Sequence, residues 1–116
     1  MTIHIKSVRD APCEADGYRV LVDRLWPRGL TREAVAHDVW LKEVGASGEL
    51  RRWFRGDPSR FDAFEHRYRQ ELECGEALAD LRRIAREHAT VTLLVDSREP
   101  ERSKAAVLRD LLTPCP

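Results

Sequence analysis

Lysine is scarce in this chain: of twenty basic residues only Lys6, Lys42 and Lys104 are lysine, and the rest are arginine. Twenty acidic residues balance them to a net charge of zero. No overall positive field therefore exists to drive non-specific nucleic-acid binding. Cysteine is sparse as well. Cys13, Cys74 and Cys115 are odd in number, far apart and without a Cys-x-x-Cys pair, which argues against a disulfide framework and against a zinc site. His4, His37, His66 and His88 are equally scattered, so metal-ligand spacing is missing and no metal is expected. Neither the Walker pattern nor Gly-x-Gly-x-x-Gly occurs, and no cofactor is expected. No apolar run approaches the roughly 20 residues that span a bilayer. The start, MTIHIKSVRD, is interrupted by His4, Lys6 and Arg9 where a leader would carry its apolar core. The expectation is a cytoplasmic protein with no membrane partner.

What is present is a globular balance, with 42% apolar and 34% charged residues in 116. That length suits one α/β domain over residues 1–116. The segment IHIKSV alternates apolar and polar, the mark of a strand with one wet face at a sheet edge. YRVLVDRL (18–25) and VTLLVDS (91–97) carry short apolar runs that suit strands covered on both faces. Helical signals lie between them. Ser47 is placed to cap a helix with Leu50, Trp53 and Phe54 on one stripe; Asp57 and Pro58 open another, with Phe61, Phe64, Tyr68 and Leu72 inward. After Gly75, Leu78, Leu81, Ile84 and Ala85 share a face. Pro100 opens a last helix running through Leu112, with Pro114 as its stop. The piece 30–45 is ambiguous: Thr31 can cap a short helix, but Val39, Trp40 and Leu41 keep no clean period.

This order predicts a small sheet with parallel central strands and helices packed on both faces. The long helical crossover lets the second and last strands lie parallel, with a right-handed connection. Only nine residues, Arg9 to Gly17, join the first two strands. Those strands are either an antiparallel pair or parallel and not adjacent.

In open α/β sheets ligands bind outside the carboxyl ends of parallel strands. The second strand delivers Asp23, Arg24 and, through WPRG, Trp26 and Arg28; the last delivers Asp96, Ser97 and Arg98, with a helix start directly after. Guanidinium groups beside a helix N-terminus fit a phosphate or carboxylate. The alternative is a structural clasp, in which Asp23 or Asp96 pairs with these arginines and Trp26 covers a guanidinium. Glu99 and Glu101 would then satisfy the helix dipole without any ligand. Ser97 lacks a nucleophile elbow and is better suited to capping. Cys13 falls in a loop that leaves room for a reactive thiol, although nothing nearby in sequence marks one, and Cys74 lies at a helix end, where inert packing is expected. RRWFR (51–55) mixes basic and aromatic residues, but Trp53 and Phe54 belong to the apolar stripe with Leu50, which leaves the arginines as solvated flanks.

DGYRVLVDRLWPRGLTREAVAHDVWLKEVG, followed by LRRWFRGDPSRFDAFEHRYRQEL, resembles the YeaO-like branch of the family called domain of unknown function 488. The resemblance covers nearly the whole chain. It implies a small bacterial cytoplasmic α/β protein and no particular reaction. DRLWPRG, here Asp23 to Gly29, is the family's characteristic segment. Relatives carry an Asn-His or Cys-His pair at the start of the last helix, where this chain has Ser103 and Lys104. An acid–base role for that histidine would be lost here, although Lys104 can still hold an anion as a point charge.

Two readings follow. In the first, the rim binds a small anionic or phosphorylated ligand, with Asp23 or Asp96 as the available acid–base group. In the second, the protein is a non-catalytic regulatory or nucleic-acid-associated module that presents Trp40 or Trp53 within a basic patch. No feature of the sequence points to an oligomeric state.

Overall fold

The structure is a computed structural model that describes residues 2–55, 57–97 and 99–112, with the Arg102 side chain left aside. Arg98, Pro114 and Cys115 lie outside the described residues. Four strands form one sheet in the order β1-β4-β2-β3: β1 Thr2–Ser7, β2 Tyr18–Leu21, β3 Val39–Trp40 and β4 Thr90–Val95. Every pairing is parallel. The first two strands are therefore parallel with β4 inserted between them, the second of the two arrangements that their nine-residue connection leaves open. β1 lies at the edge, where His4 is exposed while Ile3 and Ile5 pack on the core.

Successive side chains of a strand point to opposite faces, and here both faces are covered. Val20, Val22, Val91, Leu93 and Val95 belong to the larger core, with side chains from four helices: α2 Gly48–Phe54, α3 Phe61–Glu73, α4 Ala77–Glu87 and α5 Lys104–Leu112. Leu21 and Leu94 point the other way. There they meet Val8, Val35 of the short helix α1 (Arg32–Val35), and the partly buried Trp26, Leu30 and Trp40. One face thus carries the helical layer. The other is closed by one turn of helix and an aromatic loop.

The capping signals of the sequence are in place. Thr31 accepts the Ala34 N–H at 3.1 Å and Ser47 accepts that of Leu50 at 3.1 Å. Asp57 accepts from Ser59 at 3.0 Å and opens a 3-10 turn, Pro58–Arg60, that runs into α3. The ambiguous piece resolves into α1, the two-residue strand β3 and a 3-10 turn, Lys42–Val44, which explains its lack of a single period. The last helix starts later than the sequence predicts. Pro100–Arg102 is a separate 3-10 turn, and α5 begins at Lys104. Ser103 makes the break: its backbone is extended, and its hydroxyl accepts the Ala105 N–H and donates to the Pro100 carbonyl.

Two buried polar arrangements lock the layers. The Tyr68 hydroxyl donates to the Val44 carbonyl, and burial pushes its phenol far above the ordinary value. At the start of β2, the buried Arg19 guanidinium pairs with Asp16 and donates to the carbonyls of Val35 and Ala36 at 2.8 and 2.9 Å. Lys6 reaches the same Asp16 carboxylate at 3.1 Å. Gly17 sits beside this group with φ of 64°, where a Cβ would lie 2.3 Å from the Thr90 carbonyl oxygen. Both backbone and space there require glycine.

Candidate functional site

β2 and β4 are adjacent and parallel, so the residues that follow Leu21 and Val95 leave the sheet at the same end. Asp23 is the hinge of this rim and is only 7% exposed. One carboxylate oxygen accepts the Asp96 N–H at 2.6 Å and the other accepts from Lys104 Nζ at 2.5 Å. Its carbonyl accepts from the Trp40 indole at 2.6 Å. Three distant segments therefore converge on one aspartate.

Arg24 is engaged as well. Its guanidinium donates to the carbonyls of Ala46 and Gly45 at 3.1 and 2.9 Å, which fastens the end of β2 to the loop before α2. This is a clasp onto backbone rather than onto a carboxylate. Gly45 allows it by close approach, since a Cβ there would lie 2.6 Å from the Arg24 nitrogen. Trp26 covers no guanidinium among the described residues; it donates to the Leu30 carbonyl at 2.8 Å and meets His37 and Trp40 edge-on. Burial, aided by Arg32 and Arg19, holds the His37 imidazole below its ordinary pKa. It is neutral at pH 7.

Arg28 behaves differently. It is exposed, and its guanidinium has no ion pair or hydrogen bond among the described residues. Asp96 is exposed and lies 3.4 Å from Arg9, which also donates to the Arg28 carbonyl at 3.2 Å. Ser97 accepts the Glu99 N–H at 3.2 Å, a local turn rather than a helix cap. Glu101 does not serve the α5 dipole as predicted. It pairs with Arg109 at 2.7 Å, an exchange that lowers the carboxyl pKa and raises that of the guanidinium.

Of the cavities that touch the rim, two, of about 390 and 550 Å³, share Arg51, Asp96 and Lys104. The smaller gathers Asp23, Arg24, Trp26 and Arg28 with Arg9 and the exposed Leu25. The larger is lined by Phe54, Arg55, Pro58 and Phe64 together with Ser97 and Glu99. Six cationic side chains against three carboxylates line the two together among the described residues. Arg51 is the least satisfied of the six. Its Nε is buried without a partner, and its terminal nitrogens have no hydrogen bond or ion pair among the described residues. A buried unpaired donor costs about 1–3 kcal/mol, more when charged.

The sequence reading brings Asp23, Arg24, Trp26, Arg28, Asp96 and Ser97 to one end of the sheet, and they are found there. It treats Arg51 as a solvated flank of RRWFR, whereas its Nε is buried; it does not bring Arg9 to the rim, and it reaches Lys104 only through the family resemblance. A signal for Arg51 was available: on α2 it lies three residues before Phe54, at the border of the apolar stripe, where a long side chain is covered by its neighbours. Trp40 and Trp53 are half-buried. Trp53 lies under the guanidinium groups of Arg60 and Arg67, 5.2 and 4.4 Å from its ring centre. Cys74 is exposed at the end of α3 rather than packed. Cys13 caps the 3-10 turn Glu14–Asp16, where its sulfur accepts the Ala15 N–H at 3.4 Å. Among the described residues no cluster of His, Cys, Asp and Glu could hold a metal ion, and no helix is long and apolar enough to cross a membrane.

The family model described as "Inactive DUF488-N3 subclade" matches residues 2–114. The chain belongs to this subclade. It is 40% identical to the uncharacterized protein YeaO of Escherichia coli (strain K12) over 116 residues, which cover 97% of each chain. It is 45% identical over 97 residues to the uncharacterized protein Rv3073c of Mycobacterium tuberculosis (strain ATCC 25618 / H37Rv), covering 84% of this chain and 81% of the relative. The same figures hold for the uncharacterized protein Mb3100c of Mycobacterium bovis (strain ATCC BAA-935 / AF2122/97). No solved structure matches the chain.

Proposed function

We propose that this protein binds a small anionic or phosphorylated ligand at the carboxyl end of β2 and β4 without transforming it. The observation that carries this reading is the Arg51 guanidinium, which lines both of these cavities and has no partner among the described residues. Arg28 adds a second uncommitted cation, and Lys104 Nζ has three donors of which one is directed to Asp23. An oxyanion would pair with these groups through charge-assisted hydrogen bonds. Binding without turnover is favoured by membership of an inactive subclade. No histidine or cysteine is found among the described residues lining either cavity.

The interaction-module reading is weaker. It requires an aromatic face free to stack, and the Trp53 ring is already covered by Arg60 and Arg67. The zero net charge also gives no general attraction to nucleic acid.

Thermal unfolding in a titration of inorganic phosphate and pyrophosphate tests the proposal, because a ligand selective for the folded state raises Tm by mass action. Tm should climb with concentration in the parent protein and stay level in Arg51→Gln. A matched sodium chloride series at equal ionic strength separates site binding from general salt effects. An equal rise in all three salts and in both proteins would overturn the reading.

A further inference from the structure

We infer that the ligand is a phosphomonoester carrying a flat apolar ring, with the phosphate between Arg51 and Lys104 and the ring in the larger cavity beside Phe54 and Pro58. This deepens the binding reading above and rests on it. At about 550 Å³ the larger cavity has the size of a small-molecule site, far more than a bare phosphate fills. It shares Arg51 and Lys104 with the smaller cavity and adds an apolar lining of Phe54, Pro58 and Phe64.

Phe54 is half-buried and stacks on the buried Phe64, with ring centres 4.4 Å apart and planes at 25°. That stack fixes the Phe54 ring in place, and Pro58, exposed, supplies a second rigid apolar surface. A flat ring gains from such neighbours beyond its buried area. Glu99 lines the same cavity and adds negative charge there. Arg55 lines it too and offsets that charge, so the lining as a whole suits a phosphate group. A ligand that was all charge would leave the apolar lining bare, and one that was all ring would leave Arg51 unpaired.

Isothermal titration calorimetry with phenyl phosphate, cyclohexyl phosphate and inorganic phosphate tests this. Phenyl phosphate should bind about tenfold more tightly than inorganic phosphate, with cyclohexyl phosphate between them. Phe54→Leu, which keeps apolar volume and loses the ring, should erase the preference for phenyl over cyclohexyl and leave the affinity for inorganic phosphate unchanged. Pro58→Ser, at an exposed position outside the packed core, should weaken phenyl phosphate alone and keeps the test open if Phe54→Leu fails to fold. Equal affinity for phenyl and inorganic phosphate would overturn the ring assignment and leave an anion site standing. Absence of binding by all three esters and salts would overturn both.

Discussion

Lys104 Nζ lies 2.5 Å from the Asp23 carboxylate, which joins the first residue of the last helix to the end of the second strand. The two side chains are 14% and 10% exposed, so each is sheltered and each depends on the other. Breaking such a pair from one side leaves a charge without compensation. Lys104→Met is expected to lower stability by about 3 kcal/mol, read from urea unfolding. Asp23→Asn combined with Lys104→Met should lose less than the two single losses added together. Strict additivity would show that the contact carries no coupling.

Arg24 and Arg28 sit four residues apart in one loop and do different work. Arg24→Ala removes two charged donors from the Gly45 and Ala46 carbonyls and should cost about 2–3 kcal/mol. Arg28→Ala touches no such bond and should change stability by less than about 0.5 kcal/mol. Equal Tm values for the two variants would remove the distinction between clasp and ligand group.

Acid should act through Asp16. Burial alone would raise its carboxyl pKa, but Lys6, the Cys13 N–H and Arg19 outweigh that and hold it below the ordinary 3.8. A carboxylate depressed on folding contributes stability that is complete above the unfolded value and drains away as pH falls through the folded one. Unfolding free energy should therefore drop below about pH 4. Asp16→Asn should flatten that limb while lowering stability at neutral pH, because the buried Arg19 loses its counter-charge. Urea midpoints from pH 2 to 7 give the comparison, and parallel acid limbs in the two proteins would contradict it.

His37 adds a second pH response near neutrality. Its imidazole is held neutral by burial and by Arg32 and Arg19, so its folded pKa lies below the unfolded 6.5. Protons then bind the unfolded chain first, and stability from this group falls as pH drops through 6.5. His37→Gln should remove the part of the decline between pH 7 and 5, seen as a smaller loss of Tm over that range.

The strands and helices were legible because their signals are local. Val20 to Val22 and Leu93 to Val95 declare two-sided burial, and Ser47, Thr31 and Asp57 declare helix starts. The late start of α5 was not legible, since Pro100 is a valid helix opener and only the Ser103 hydroxyl, bonded on both sides, shows the break. The rim was legible as a place through the rule of parallel strand ends. Its division of labour was not. Arg24, Arg28 and Arg51 are the same residue type, and what separates them is a pair of carbonyls, open water and a shielded nitrogen, each set by tertiary neighbours.

The strand order has a cost in time. The segment that fills the middle of the sheet, Thr90–Val95, is the last of the four to leave the ribosome. Until it emerges, Thr2–Ser7 has no neighbour to bond with, and Tyr18–Leu21 has only Val39–Trp40. The nascent chain must hold two unpaired strand edges through most of its synthesis, and its sheet closes late, by contacts far apart along the chain.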